Sequence, residues 1–150
     1  RRCTPLLIAL SRIRGQIALI EVGASAGLTL VPDRYSYSWS TRGRALIVDP
    51  NAGPSPVTLT AELSGWGANP PAIPKILYRE GIDLNPLDVA DESDRQWLES
   101  LVWPEQTERL ELVRAAADIV AEVAPPITAG DAVEASIRGC VDLPERRPRG

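Results

Sequence analysis

Ile17-Ala18-Leu19-Ile20-Glu21-Val22-Gly23-Ala24-Ser25-Ala26-Gly27 is the stretch on which the fold turns. Its first six residues form a short, nearly continuous apolar run, the pattern of a strand buried on both faces of a parallel sheet. The run ends at an acid and enters a turn in which Gly23 and Gly27 flank Ser25. Glycine allows positive φ and lets a ligand approach the backbone, and a helix starting behind such a turn offers free N–H groups and a positive dipole end. Ser25 can cap that helix. The sequence therefore predicts a strand, a tight turn and about two turns of helix, weakened at Pro32. The Gly-x-Gly-x-x-Gly dinucleotide fingerprint is not met, and Gly-Lys-Ser/Thr of the phosphate loop is absent.

Before this stretch, Leu6 to Ile13 reads as helical, with Leu6, Leu10 and Ile13 on one face. After it, the period changes. Tyr35, Tyr37 and Trp39 alternate with serines, Ala45 to Val48 forms a second short run, and Val57, Leu59, Ala61 and Leu63 alternate with polar residues. Period two is the mark of half-buried strands, and these three predict an antiparallel β meander inserted at about residues 33–64. Trp66 falls in a Gly/Pro-rich loop at 65–74 and reads as a side chain packed under that loop.

Ile76 to Leu84 returns to buried-strand composition. Asp91 or Ser93 can cap a helix carrying Trp97, Leu98, Leu101 and Val102. A further helix is expected from Pro104, with a Glu105–Arg109 pair and an apolar face of Leu112, Ala116, Ile119, Val120 and Val123, ended by Pro125-Pro126. Ile127-Thr128-Ala129 is a third parallel-type strand running into Gly130-Asp131, and the tail 143–150 reads as unstructured. The expectation is one α/β domain over residues 1–150: a partial Rossmann-like parallel sheet with the inserted meander.

Composition narrows the chemistry. The 150 residues include no His, Met or Phe. Without His there is no Ser-His-Asp triad, no His-ligated metal and no imidazole base, so function must rest on carboxylates, hydroxyls and backbone. A formal charge of -4, with 16 basic residues scattered among 20 acidic ones, argues against nucleic-acid binding. No run approaches the ~18 apolar residues of a membrane helix. Cys3 and Cys140 lie far apart with no Cys-x-x-Cys spacing, so they read as reduced thiols of a cytoplasmic protein, with no metal site. The chain starts Arg1-Arg2-Cys3 rather than with Met and reads as a fragment of a longer protein, expected to bind cofactor weakly or not at all and not to turn over alone.

Three strand ends share one pattern, an apolar run followed by an acid with a glycine nearby: Glu21 with Gly23 and Gly27, Gly81 with Asp83, and Gly130 with Asp131. In an open parallel sheet, ligands bind beyond the carboxyl ends of the strands, so these acids are expected to converge on one cleft. The spacing Glu21-x-Gly23-x-Ser25-x-Gly27 resembles the first motif of class I S-adenosylmethionine-dependent methyltransferases, with Ser25 where that family has its middle glycine. The resemblance implies that the turn receives the methionine end of the cofactor. Asp83 resembles the family's ribose-binding acid, and Asp131 the acid that meets the adenine amino group. The implied cofactor-binding set is Glu21, Gly23, Ser25, Gly27, Asp83 and Asp131, with no catalytic residue assigned.

The sequence also resembles, nearly end to end, an uncharacterised bacterial family, domain of unknown function twenty-three thirty-two. The resemblance is carried by Glu-Val-Gly-Ala-Ser-Ala-Gly-Leu at 21–28, Asp-Arg-Tyr at 33–35 and Ser-Pro-Val at 55–57. It continues in Gly-Ile-Asp-Leu-Asn-Pro-Leu-Asp-Val at 81–89, Leu-Val-Trp-Pro-Glu-Gln-Thr-Glu-Arg at 101–109 and Gly-Asp-Ala-Val at 130–133. It implies no established activity.

Plainer readings stand beside these. The glycine turn can be a tight strand-to-helix junction with Glu21 tied to a local amide. Asp49 rivals Asp83, because it follows Gly27 by roughly the 20 residues expected of a ribose-binding acid in an NAD-type nucleotide fold. The Tyr35, Tyr37, Trp39 meander could serve a non-catalytic interaction module. Asp88, Asp91, Glu92 and Asp94 read as helix-capping acids rather than a metal site, and Arg34 and Arg79 as ion-pair partners rather than anion clamps.

Overall fold

A computed structural model describes residues 2–41, 44–64 and 71–133. The expected tail, Cys140 and Trp66 lie outside them. The architecture is mixed α/β, a three-stranded parallel sheet beside a separate three-stranded mixed sheet. The elements run α1 (Cys3–Leu10), β1 (Gln16–Val22), a 3-10 turn (Pro32–Arg34), β2 (Ser36–Thr41), β3 (Arg44–Val48) and β4 (Thr58–Glu62). They continue with β5 (Lys75–Asp83), α2 (Glu92–Ser100), α3 (Thr107–Val123) and β6 (Ile127–Ala129).

The parallel sheet has the order β1-β5-β6, so the three acid-bearing strand ends lie side by side. Glu21 is level with Gly81, Val22 with Ile82, and Asp83 with Ala129. One face packs inward. The other shows Ile20, Val22 and Tyr78, each about half exposed or more.

The second sheet corrects the meander. β2 and β3 are antiparallel, but β4 runs parallel to β2 on its far side. The chain leaving β3 doubles back past the start of β2. There Ser36 donates its hydroxyl to Asp49 at 2.5 Å and accepts the Ser55 amide at 2.9 Å, and its own N–H reaches the Val57 carbonyl. Period-two alternation marks a strand and its buried face, yet it is the same whichever way the partner runs. This sheet supplies the centre of the core. Tyr35, Tyr37 and Trp39 are 2%, 0% and 1% exposed, and the Tyr37 and Trp39 rings stack at 6.0 Å.

Three helix expectations also change. No helix follows Gly27. Gly23, Ser25 and Gly27 alternate at φ of +78°, +50° and +70°, which a right-handed helix cannot accept, and the chain runs through turns to the 3-10 segment. The first helix buries Cys3, Leu7 and Leu10, while Ile13 is past its end and exposed. The last helix begins at Thr107 rather than Pro104, and Arg109 donates to Gln106 at 3.2 Å. As expected, Asp91 caps α2 by accepting the Ser93 and Asp94 amides. The end of α3 falls at Ala124, in the left-handed region, just before the two prolines.

Candidate functional site at the end of the parallel sheet

Strand pairing continues into the turn. The Gly23 and Ala24 amides both donate to the Ile82 carbonyl, so residues 23–27 lie across the end of β5. Gly81 makes room for them: a Cβ there would stand 2.6 Å from that of Ala24. Gly27 is buried and packs on Ile127, where a Cβ would meet the side chain at 3.0 Å.

Alternating left-handed residues bring successive backbone N–H groups into a concavity that attracts anions. Here the anion is the protein's own. Asp83 accepts the Ser25 amide at 2.7 Å and the Asn85 amide at 2.9 Å. These bonds, that to Asn85 foremost, hold the Asp83 carboxyl below the ordinary carboxylate range. Two backbone bonds leave a carboxylate with accepting capacity to spare.

Glu21 sits differently. One oxygen accepts the Thr29 hydroxyl, and the other, Oε2, is buried with no hydrogen-bond partner. Burial pushes its pKa up, and Asp83 adds to that, while Thr29 and Arg2 oppose it. Beside it, the buried Cys3 thiol is pushed up to about 11, mainly by desolvation, and is neutral at physiological pH.

A cavity of about 1020 Å³ opens at this point. Glu21, Gly23, Ser25 and Thr29 line one part of it together with Arg2, Cys3 and Tyr35, and the α2–α3 hairpin and β4 line much of the rest. Of the residues expected in the site, Glu21, Gly23 and Ser25 thus meet one space, and Asp83 is tied to it through Ser25. Gly27 is buried beneath the turn. Asp131 is exposed at the end of β6, accepting the Val133 amide at 2.7 Å, and does not line the cavity. Asp49 follows the end of β3 in the second sheet and accepts the Ser36 hydroxyl. Thr29 and the hairpin wall have no signature in the sequence.

Among the described residues no group of three or more His, Cys, Asp or Glu could hold a metal, and no helix is long and apolar enough to cross a membrane. Asp88 and Asp91 accept neighbouring amides, and Asp94 accepts that of Asp88, as capping acids do. Arg79 pairs with Asp33 through both carboxylate oxygens at 2.8 and 2.9 Å and also donates to the Leu30 carbonyl.

The chain is a mixed α/β protein with a cavity beside the carboxyl end of β1, lined in part by Glu21 and the glycine turn. The chain belongs to the family described as uncharacterized protein conserved in bacteria (DUF2332), whose model matches residues 1–140. No curated protein and no solved structure matches it.

Proposed function

We propose that this cleft binds a small molecule carrying a positively charged amine, and that the ligand is S-adenosylmethionine, bound by the first half of a Rossmann-like methyltransferase sheet. The observation that carries the reading is Glu21, a residue of the cavity wall whose second carboxylate oxygen, Oε2, is buried without a partner. Leaving a charged acceptor unpaired costs about 1–3 kcal/mol or more. An ammonium group removes that cost.

The other residues fit the same ligand by their chemistry. Gly23 and Ser25 present backbone at the cavity, Asp83 has lone pairs left for a diol, and Asp131 is an exposed acceptor on the neighbouring strand end. The β1-β5-β6 order matches half of a doubly wound sheet, in which ligands sit beyond the strand ends. Two features depart from the motif: no helix dipole stands behind the turn, and the Ser25 amide is already engaged by Asp83. Binding then depends on carboxylates rather than on a helix terminus. When bound, the cofactor supplies a methyl group on a positively charged sulfur, and the residues named here orient it and exclude water. Asp49 lies just past β3, bonded to Ser36, and takes no part in this reading.

Thermal melts with S-adenosylmethionine, S-adenosylhomocysteine, NADH and NADPH test it. Both sulfur ligands raise Tm in a concentration-dependent way and the nicotinamides do not. Glu21→Gln and Asp83→Ala each weaken the ligand-induced shift at least tenfold in apparent affinity. Absence of a shift with either sulfur ligand, or an unchanged shift in Glu21→Gln, overturns the proposal.

A further inference from the structure

One oxygen of Glu21 is free because the other is held. Thr29 donates its hydroxyl to Oε1, which leaves Oε2 as the buried atom without a partner. The last torsion of a glutamate has broad wells rather than three sharp ones, so a donor fixed on one oxygen sets where the second lies. Such a donor must itself be fixed.

No helix or strand holds Thr29, but both of its neighbours are pinned. The Leu28 carbonyl accepts the Tyr35 hydroxyl at 2.7 Å, and the Leu30 carbonyl accepts Arg79 Nη1 at 2.9 Å. Leu30 is fully buried, and its N–H closes a turn on the Gly27 carbonyl at 3.0 Å. Tyr35 is buried in turn, and Arg79 of β5 is locked to Asp33 through both carboxylate oxygens. The Thr29 hydroxyl therefore stands at a set position beside the cavity, which Thr29 and Glu21 both line.

The same bond bears on charge. Burial, the largest influence on Glu21, raises its pKa, and Asp83 adds to that, while the Thr29 bond is the foremost opposing influence, ahead of Arg2. No neighbour supplies a substitute. Cys3 and Tyr35 stay neutral because burial raises both, and on the hairpin wall of the cavity Arg109 stands with two acids, Glu105 and Glu108. An ammonium group gains far more from a carboxylate than from the neutral acid.

We infer that Thr29 is the positioning residue of this site: its hydroxyl holds Oε1 of Glu21 so that Oε2 is presented to the ammonium group of the ligand. The inference rests on the reading of Glu21 as the ammonium site and gives Thr29 its effect through Glu21. Valine has the shape of threonine without the donor, and serine keeps the donor. Removing the hydroxyl both frees the carboxylate to turn and lets burial act unopposed, so Glu21 takes up its proton at a higher pH.

Two measurements on the full chain test this in the wild type, Thr29→Val and Thr29→Ser. Carbon-13 NMR of the side-chain carboxyl follows the titration of Glu21 without ligand, and calorimetry follows the affinity for S-adenosylmethionine as a function of pH. In Thr29→Val the Glu21 midpoint moves up, affinity near neutral pH falls roughly fivefold or more, as for the loss of one hydrogen bond, and the acid-side loss of binding moves up with the midpoint. Thr29→Ser restores most of each. An unchanged Glu21 midpoint or an unchanged affinity in Thr29→Val, or a serine variant that behaves as the valine one, overturns the inference. If the midpoint follows the hydroxyl while S-adenosylmethionine binds to none of the three proteins, the hold of Thr29 on Glu21 stands and the cofactor reading alone falls.

Discussion

The two sheets divide the work of the molecule unequally. The mixed sheet, which the sequence presents as an insertion, holds the largest buried side chains, Tyr35, Tyr37 and Trp39. The parallel sheet, whose first strand decides the fold, leaves Ile20, Val22 and Tyr78 exposed on one face and spends its carboxyl end on Glu21, the glycine turn and Asp83. Parallel strands are ordinarily covered on both faces. The largest buried side chains thus gather at one sheet, and the proposed ligand-binding residues at the end of the other.

The sharpest way to break that division is Trp39→Ala, which removes a fully buried ring and costs about 3–5 kcal/mol, a large share of the ~5–15 kcal/mol available to a domain. Urea denaturation reads the loss directly. Next comes Arg79→Met, which cuts the tie between β5 and the segment leading to β2 and leaves half-buried Asp33 with only the longer contact to Arg34, 3.9 Å, among the described residues. The expected cost is about 2 kcal/mol, between the values for exposed and buried pairs. Adding Asp33→Asn recovers part of it in the same assay.

Glu21→Gln separates stability from ligand chemistry. The folded-state pKa of Glu21 is raised, so folding favours its protonated form, and wild-type stability falls as pH climbs from the unfolded value of 4.5 through the raised folded value. The surrounding charged groups are Arg2 and Asp83, with Cys3 neutral. The variant is therefore the more stable of the two near pH 7, and the gap closes as pH falls through the raised value to below 4.5. A gap independent of pH would show that Glu21 is not charged and unpaired in the folded protein. The smallest effect belongs to Ile20→Thr on the uncovered face, less than about 0.5 kcal/mol by urea denaturation.

What the sequence disclosed follows the same division. Strands β1, β5 and β6 were legible because each is a short, apolar-rich segment bounded by glycine, proline or an acid, and parallel pairing then set their acids side by side. The direction of β4 was not legible, since Leu59 alternates identically beside a parallel or an antiparallel neighbour. Nor was the turn after Gly27: glycines that admit a ligand also admit the left-handed conformations that forbid a helix, and only the φ of Ser25 distinguishes the two. Glu21, Gly23 and Ser25 could be named in advance because they are adjacent. The hairpin wall could not, because Leu101 and Leu112 reach the cavity through the geometry of a helical hairpin rather than through any local pattern.

The segment from Gly23 to Arg34 carries a last consequence. It has no regular structure beyond one 3-10 turn, yet Tyr35 donates to its Leu28 carbonyl, Tyr37 to Pro32, Arg79 to Leu30, and Asp83 grips Ser25. These anchors come from both sheets, so the segment cannot come loose while either one stands. In a hydrogen-exchange experiment the amides of Ser25, Gly27 and Leu30 would follow the slow clock of the core strands, and trypsin would reach Arg34 only in molecules that had already opened altogether.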